Sequence, residues 1–390
     1  MKEEDSAKKI AIILCAIIVI LILFVVSFFF YICNNYDAKD TNIKVVDLNN
    51  EEGEIITVDN IGKNETQKNL ISADILDENE ENVYTVKPPS QIYVDKTVDY
   101  NTTGNKYYYN LLDKHSKSIY KILEKQKDNM KTGNAIINLP DDLSEFLETE
   151  ELKNSIKEIL TIALTAFEYD NPDMFYIDIS KMVLYYETDS LGNSTFYLKN
   201  NQIYNNYFID GIDSEQMVCN YIKEIDLVVD EIQNEINEKN LSTDYEKILY
   251  IHDWIVNNSM YDESLNTTNR DNIYGIFKEN EATCGGYAKA FKYLMDKLGI
   301  NCIIVQGKAI SNEQSEYHAW NYVEINEKWY GVDCTWDDPI IIGDKRQELH
   351  YTYFLKGQNV FGETHEPFKK FYETNVKLNY PELEIENYNN

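Results

Sequence analysis

The sequence predicts an α+β protein, and three observations lead to that class. A segment with helical apolar period opens at Cys284 and closes at Gly299. Three strand-like runs follow it, NCIIVQGKA, EYHAWNYVEIN and EKWYGVDCTW, the last two joined by an Asn326-Glu327 turn. Ahead of both, from about residue 96, lies folded sequence of mixed helical and strand character. A helix followed by an antiparallel sheet is an α+β layout, and 390 residues can bury a core without disulfide staples.

Taken in order, the first element is IAIILCAIIVILILFVVSFFFYIC, Ile10 to Cys33, which carries no charge. At 1.5 Å per helical residue it can cross a hydrocarbon core of about 30 Å. Lys8 and Lys9 precede it and acids crowd the chain after Asn34. The positive-inside bias then makes 1–9 a cytoplasmic tail, 10–33 a transmembrane signal-anchor helix, and the rest extracellular. The flank FFFYICNN has no small-residue cleavage site, and Cys33 follows Phe-Tyr-Ile rather than the small residues a lipoprotein signal needs. Residues 34–95 are acidic, Asn-rich and poor in aromatics, and read as a stalk in which EIITV is a short strand-like piece.

The region 96–240 opens with an apolar stripe of Tyr108, Leu111, Leu112, Ile119, Ile122 and Leu123. A second helix covers 152 to 170 and stops at Asn171-Pro172. KMVLYYETD, NSTFYLKN and NQIYNNYFID predict a β-meander of about three strands, and SEQMVCNYIKEIDLVVDEIQNEINEK predicts a helix. Another helix, STDYEKILYIHDWIVNNSMY, opens the region 241–375 with Ser242 and Thr243 as caps, and 376–390 reads as a C-terminal tail.

Asp and Glu number 67 against 36 Lys and Arg, a net charge of −31, so a nucleic-acid partner is excluded and a general attraction to anionic lipid disfavoured. Of six cysteines, Cys15 and Cys33 lie in the apolar segment; Cys219, Cys284, Cys302 and Cys334 show neither a disulfide framework nor a zinc spacing.

Three chemistry-bearing residues fall on consecutive elements: Cys284 at a helix start, His318 in the second strand and Asp333 near the end of the third. Strands flanking a turn at 326 face one another at equal distances from it, which puts His318 and Asp333 roughly opposite. A helix amino terminus and an imidazolium both stabilise a thiolate, so Cys284 reads as a nucleophile, His318 as its base and Asp333 as the group that orients the ring. Gly285 and Gly286 leave the backbone open beside the sulfur, and the Cys284 amide is placed to help bind an oxyanion. Attack on an amide carbonyl, a thioester, and release to an amine or to water follow.

Cys284 alone would be a buried hydrophobe, as Cys302 and Cys334 are read to be, each in a strand. His318 would be a satisfied core histidine, and Asp333 a turn cap, although Asp337 and Asp338 of TWDDP are the better turn residues. Trp320, Trp329 and Trp336 read as core, with Trp336 at the cleft. His252, His350 and His365 form no H-E-x-x-H pattern, so neither a metal nor a cofactor is expected. The acids form no EF-hand loop, which leaves calcium dependence open.

The runs HDWIVNNSMYD, IYGIFKENEATCGGYAKAFKYLMDKLGI, HAWNYVEINEKWYGVDCTWDDP, and YFLKGQNVF with His365 resemble the transglutaminase-like superfamily. Its core is a papain-like thiol fold, and the likeness is to a bacterial, membrane-anchored surface branch, over about 245 to 370. The resemblance implies nucleophile, base and acid at Cys284, His318 and Asp333. For the family's upstream oxyanion side chain, Trp254 and Asn280 are candidate positions, neither assigned. It implies a cell-surface enzyme acting on protein or peptide amides of the surface or wall, either a cross-linker or a peptidase or amidase. The competing classes are a non-catalytic surface binding or assembly module on the same fold, and a tether resting on anchor and stalk alone. Oligomeric state is left open.

Overall fold

The structure is a computed structural model in which helices and antiparallel strands follow one another along the chain. The structure describes residues 53–56, 106–140, 143, 146, 150–188, 194–265, 267–311, 314–338, 341–342, 345–346, 349–371, 374 and 376–389. The apolar segment 10–33 and nearly all of the expected stalk lie outside them. Among the described residues no helix is long and apolar enough to cross a membrane.

Within that stalk, Gly53–Ile56 (β1) pairs antiparallel with a later strand. The expected first helical stripe is split in two, Tyr107–Leu111 (α1) and Lys114–Met130 (α2). Asp113 causes the break: its side chain accepts from the backbone N–H of His115 (2.7 Å) and Ser116 (3.2 Å), capping a new helix and holding Leu112 extended. Ile137–Asn138 (β2) follows, then Glu150–Asp170 (α3), which is buried on all sides from Ile159 to Phe167. Met182–Thr188 (β3) and Ser194–Asn200 (β4) pair as expected.

The third meander strand does not form. Asn201 and Asn206 fold their side chains onto the backbone N–H of Ile203 (3.2 Å) and Phe208 (2.9 Å), turning the chain where a strand would run. The sheet is completed from upstream instead, in the order β1-β3-β4-β2. Two helices come next, Glu215–Glu238 (α4) and Asp244–Asn258 (α5). Thr243 and Glu246 form a full capping box at the start of α5.

Met260–Tyr261 (β5) and Glu281–Ala282 (β6) pair in parallel, separated by a π turn at Gly275–Glu279. Cys284–Lys297 (α6) is buried on all sides from Cys284 to Met295, the pattern of a central helix. Gly299, with φ +72°, ends it in the left-handed conformation. Cys302–Ser311 (β7), Gln314–Ile325 (β8) and Lys328–Val332 (β9) form the antiparallel sheet against which α6 lies. Asn326 and Glu327 both have positive φ, as a two-residue hairpin turn requires. After a small ribbon of Ile341–Ile342 (β10) and Lys345–Arg346 (β11), the chain makes a helical turn at Gln358–Phe361 (α7). His365–Pro367 (β12) then joins the far edge of the sheet, giving the order β12-β7-β8-β9.

The regions expected as 96–240 and 241–375 share one core. Tyr108 donates its hydroxyl to the Ile304 carbonyl, and Lys289 of α6 pairs with Glu168 of α3 at 2.8 Å. The segment expected as a tail is part of the same body: Leu378 and Leu383 are buried, Gln358 N–H donates to Glu384 O (2.7 Å), and Glu384 N–H to Trp329 O (2.9 Å).

Candidate active site

Cys284 opens α6, where the first-turn amides lack intrahelical acceptors. The approach to it is fixed by backbone: β5 and β6 hold the preceding segment, and Thr283 N–H donates to Arg270 O (2.9 Å). Gly286 serves this packing rather than substrate access. A Cβ there would sit 2.4 Å from Arg270 O and 2.7 Å from Ala282 Cβ. The thiol is buried, 8% exposed, in a small cluster with Ala288, Ile304 and Ala319.

His318 lies on β8 with its ring buried and its Nε2 2.7 Å from Asp333 Oδ2. The ring also interacts with the Cys284 thiol, and because Nε2 is engaged, the nitrogen left for the sulfur is Nδ1. The structure therefore brings the three expected residues together. The register differs from the one expected. Asn321 faces Val332, so continuing the ladder would set Asp333 opposite Trp320, two residues from His318. Pairing ends at Val332, and Asp333 reaches diagonally to His318 from the turn that follows. Cys334 likewise lies beyond the strand, although it is buried and free as expected.

Both oxygens of Asp333 are fully used. Oδ1 accepts the backbone N–H groups of Thr335 (2.9 Å) and Trp336 (3.2 Å), and Oδ2 accepts from His318 (2.7 Å) and His365 Nε2 (3.1 Å). Burial alone would push the His318 pKa down, but the Asp333 carboxylate and Cys284 outweigh it and raise it to about 10. The same pairing holds Asp333 well below the usual carboxylate range against its own burial. Trp336 packs 5.2 Å from the His318 ring, while Trp320 is core, as expected.

The sequence offered His365 as part of a motif run and as one of three histidines without a metal pattern, and gave it no role. The histidines His252, His350 and His365 are not gathered: His350 is exposed, and His252 pairs with Asp253 (3.0 Å) and Asp337 (3.2 Å). Asp337, expected as a turn residue, does sit in the turn and is fully buried. It accepts from His252 and from Tyr353 N–H (2.9 Å), while its own N–H donates to Asp333 O (3.1 Å). His318, Asp333 and His365 place three metal-type ligand atoms within 4.8 Å of one another, each already hydrogen-bonded within the set.

Neither oxyanion candidate is oriented by a contact to the thiol. Trp254 packs on Phe277 at 5.9 Å, and Asn280 is exposed, in a left-handed conformation with φ +56°. A residue the sequence did not flag, Tyr261 on β5, has its hydroxyl pKa raised first by burial and next by the charge of Cys284.

The family model of the transglutaminase-like superfamily matches residues 231–334. Kyphoscoliosis peptidase of Homo sapiens is 28% identical over 144 residues, 33% of this chain and 22% of that protein, and the Mus musculus protein matches to the same extent. The chain thus spans about a fifth of the length of these curated relatives. Among solved structures, one described as a TGase has a TM-score of 0.27 at 17% identity, covering 42% of this chain and 46% of that one. A Cytophaga hutchinsonii chain described as a cysteine protease has a TM-score of 0.25 at 18% identity, covering 36% and 52%. Together with the helix-on-sheet layout, the family match identifies a transglutaminase-like superfamily domain at residues 231–334, set in an α+β unit.

Proposed function

We propose that this chain is a membrane-anchored, outward-facing thiol acyl-transfer enzyme acting on amide bonds of proteins or peptides. The observation that carries the reading is a buried imidazole tied at Nε2 to Asp333, 2.7 Å away, and interacting through its other side with a cysteine at a helix start. Nothing in a structural core requires those three groups in that order.

The chemistry follows from the arrangement. A charged His318 ring stabilises a Cys284 thiolate, which attacks the amide carbonyl to form a tetrahedral oxyanion beside the first-turn amides of α6. Collapse breaks the carbon–nitrogen bond, and His318 gives its Nδ1 proton to the leaving amine. The neutral ring then takes a proton from water or from an acceptor amine as that group attacks the thioester, and the thiolate leaves. Water gives a peptidase or amidase, and an amine gives cross-linking or modification. That the human and mouse relatives are named peptidases supports an amide substrate. The uncharged run 10–33, preceded by Lys8 and Lys9, supports the anchor and the outward face.

Iodoacetamide labelling of the full chain from pH 4 to 9, read per cysteine by mass spectrometry, tests this. Exposure favours Cys219, which is open to solvent, over the buried Cys284. Faster labelling of Cys284 well below pH 8, slowed by His318→Ala, is the expected result. Labelling of Cys284 no faster than Cys219, with no effect of His318→Ala, would leave a surface binding module on the same fold.

A further inference from the structure

We infer that His365 is a positioning residue of this site, holding the Asp333 carboxylate in the one orientation from which it can steer His318. The inference rests on the reading of Cys284, His318 and Asp333 above and adds a fourth member from the opposite edge of the sheet.

An ionised carboxylate has about four acceptor positions. In Asp333 two are filled at Oδ1 by the Thr335 and Trp336 amides, and two at Oδ2 by His318 and His365. The amides fix one oxygen, yet the group can still tilt about the bond that carries it. The second imidazole, 3.1 Å from Oδ2, closes that freedom and keeps the lone pair facing His318 aligned.

His365 is built to donate. The Asp333 carboxylate can only accept, so the Nε2 that faces it at 3.1 Å carries the ring proton, and Nδ1 is left facing the Thr364 hydroxyl at 2.9 Å. Its ring is clamped by Phe361, stacked at 4.0 Å, Trp320 at 4.8 Å, Trp336 at 5.0 Å and Tyr353 at 5.1 Å. With both nitrogens engaged it is not a second base. The titratable groups around it are Asp333, His318 and Tyr353, with Cys284 beyond His318.

Without the His365 donor, Oδ2 still accepts from His318 Nε2, but the carboxylate is free to tilt and the ring loses its set toward the thiol. The test is iodoacetamide labelling of Cys284 in the full chain at pH 6 and at pH 9.5, with thermal unfolding alongside. For His365→Phe, labelling at pH 6 falls about tenfold, the low end of the loss found when the partner that orients a metal-binding histidine is removed. At pH 9.5, where a thiol ionises without help from an imidazole, labelling stays within about twofold of wild type. His365→Gln, whose amide N–H replaces the Nε2 donor, recovers most of the pH 6 rate.

Should His365→Phe not fold, Thr364→Val removes the partner of His365 Nδ1 with the aromatic clamp intact and lowers the pH 6 rate by less than His365→Phe does, through the looser aim of the ring. Unchanged labelling at pH 6 in these variants overturns the inference. An equal loss at both pH values, unrescued by Gln, does so too, because a merely structural histidine would act that way. His318→Ala separates the two levels. If it leaves the pH 6 rate untouched, the thiol-enzyme reading itself fails. If it slows labelling while His365→Phe does not, only the role of His365 falls.

Discussion

Asp333→Asn changes one atom and reverses the hydrogen-bond sense of the site. The oxygen facing the Thr335 and Trp336 amides must remain an oxygen, because both are donors at 2.9 and 3.2 Å. The new amide nitrogen therefore faces the His318 and His365 rings, where Oδ2 stood. His318 Nε2 has to become an acceptor, which moves the ring proton to Nδ1 and leaves no lone pair for the thiol proton. The carboxylate charge that, with Cys284, raised His318 to about 10 is also gone, and burial is then opposed by Cys284 alone. With no imidazolium left to stabilise the thiolate, Cys284 labelling at pH 6 falls roughly a hundredfold.

The same substitution predicts a stability signature. The folded pKa of His318 lies above its unfolded value, so its contribution is fully present below pH 6.5 and is lost as pH rises through about 10. The folded pKa of Asp333 is depressed, so its contribution is present above the unfolded value of about 3.9 and lost as pH falls below it. Wild type is then most stable between these limits, by at most on the order of 5 kcal/mol from this pair. Asp333→Asn flattens the alkaline fall of the melting temperature. Labelling of Asp333→Asn within twofold of wild type at pH 6, together with an unchanged alkaline fall, would refute the assignment of Asp333 as the partner that charges His318.

Gly286→Ala puts a Cβ 2.4 Å from Arg270 O, a backbone atom that cannot yield cheaply, so thermal unfolding should show a loss of about 1–3 kcal/mol. His252→Phe leaves the buried Asp337 without its imidazole and costs about 3–5 kcal/mol near pH 6. His252 is raised above its ordinary value because Asp253 and Asp337 outweigh burial, so the deficit shrinks as pH rises through its folded pKa; chemical denaturation at both ends of that range checks it. Ending the chain after 375 exposes the surfaces under Leu378 and Leu383 and should cost about 2 kcal/mol for each. Wild-type stability of the shortened chain would show that the last residues are a tail after all.

Sequence pattern located most helices and the sheet because their signals are local. The Thr243 and Glu246 capping box, the Asn326-Glu327 turn and Gly299 each act within a few residues of themselves. The two misread segments were competitions within the chain that apolar period does not register: Asp113 capping a second helix, and Asn201 and Asn206 turning a strand-like run. Cys284, His318 and Asp333 were legible because their elements are consecutive and short turns join them. The diagonal reach of Asp333 was not, since it depends on pairing that ends at Val332.

The support of the site was illegible for a different reason. Of the four groups that satisfy Asp333, only His318 lies on the preceding hairpin; two are backbone amides of the turn, at 335 and 336, which carry no side-chain signal, and the fourth, His365, comes from β12. The five residues from Asp333 to Asp337 act as a junction. Asp333 receives His318 from β8 and His365 from β12, while Asp337 receives His252 from α5 and the Tyr353 amide. The Asp337 N–H closes the turn onto Asp333 O at 3.1 Å. A displacement of α5 therefore reaches the Asp333 carboxylate through a buried ion pair and one turn, without passing through the sheet. On this geometry His252→Phe should lower the pH 6 labelling rate of Cys284 beyond what its fraction unfolded explains. A rate that tracks the folded fraction alone would make His252 and Asp337 a stabilising pair only.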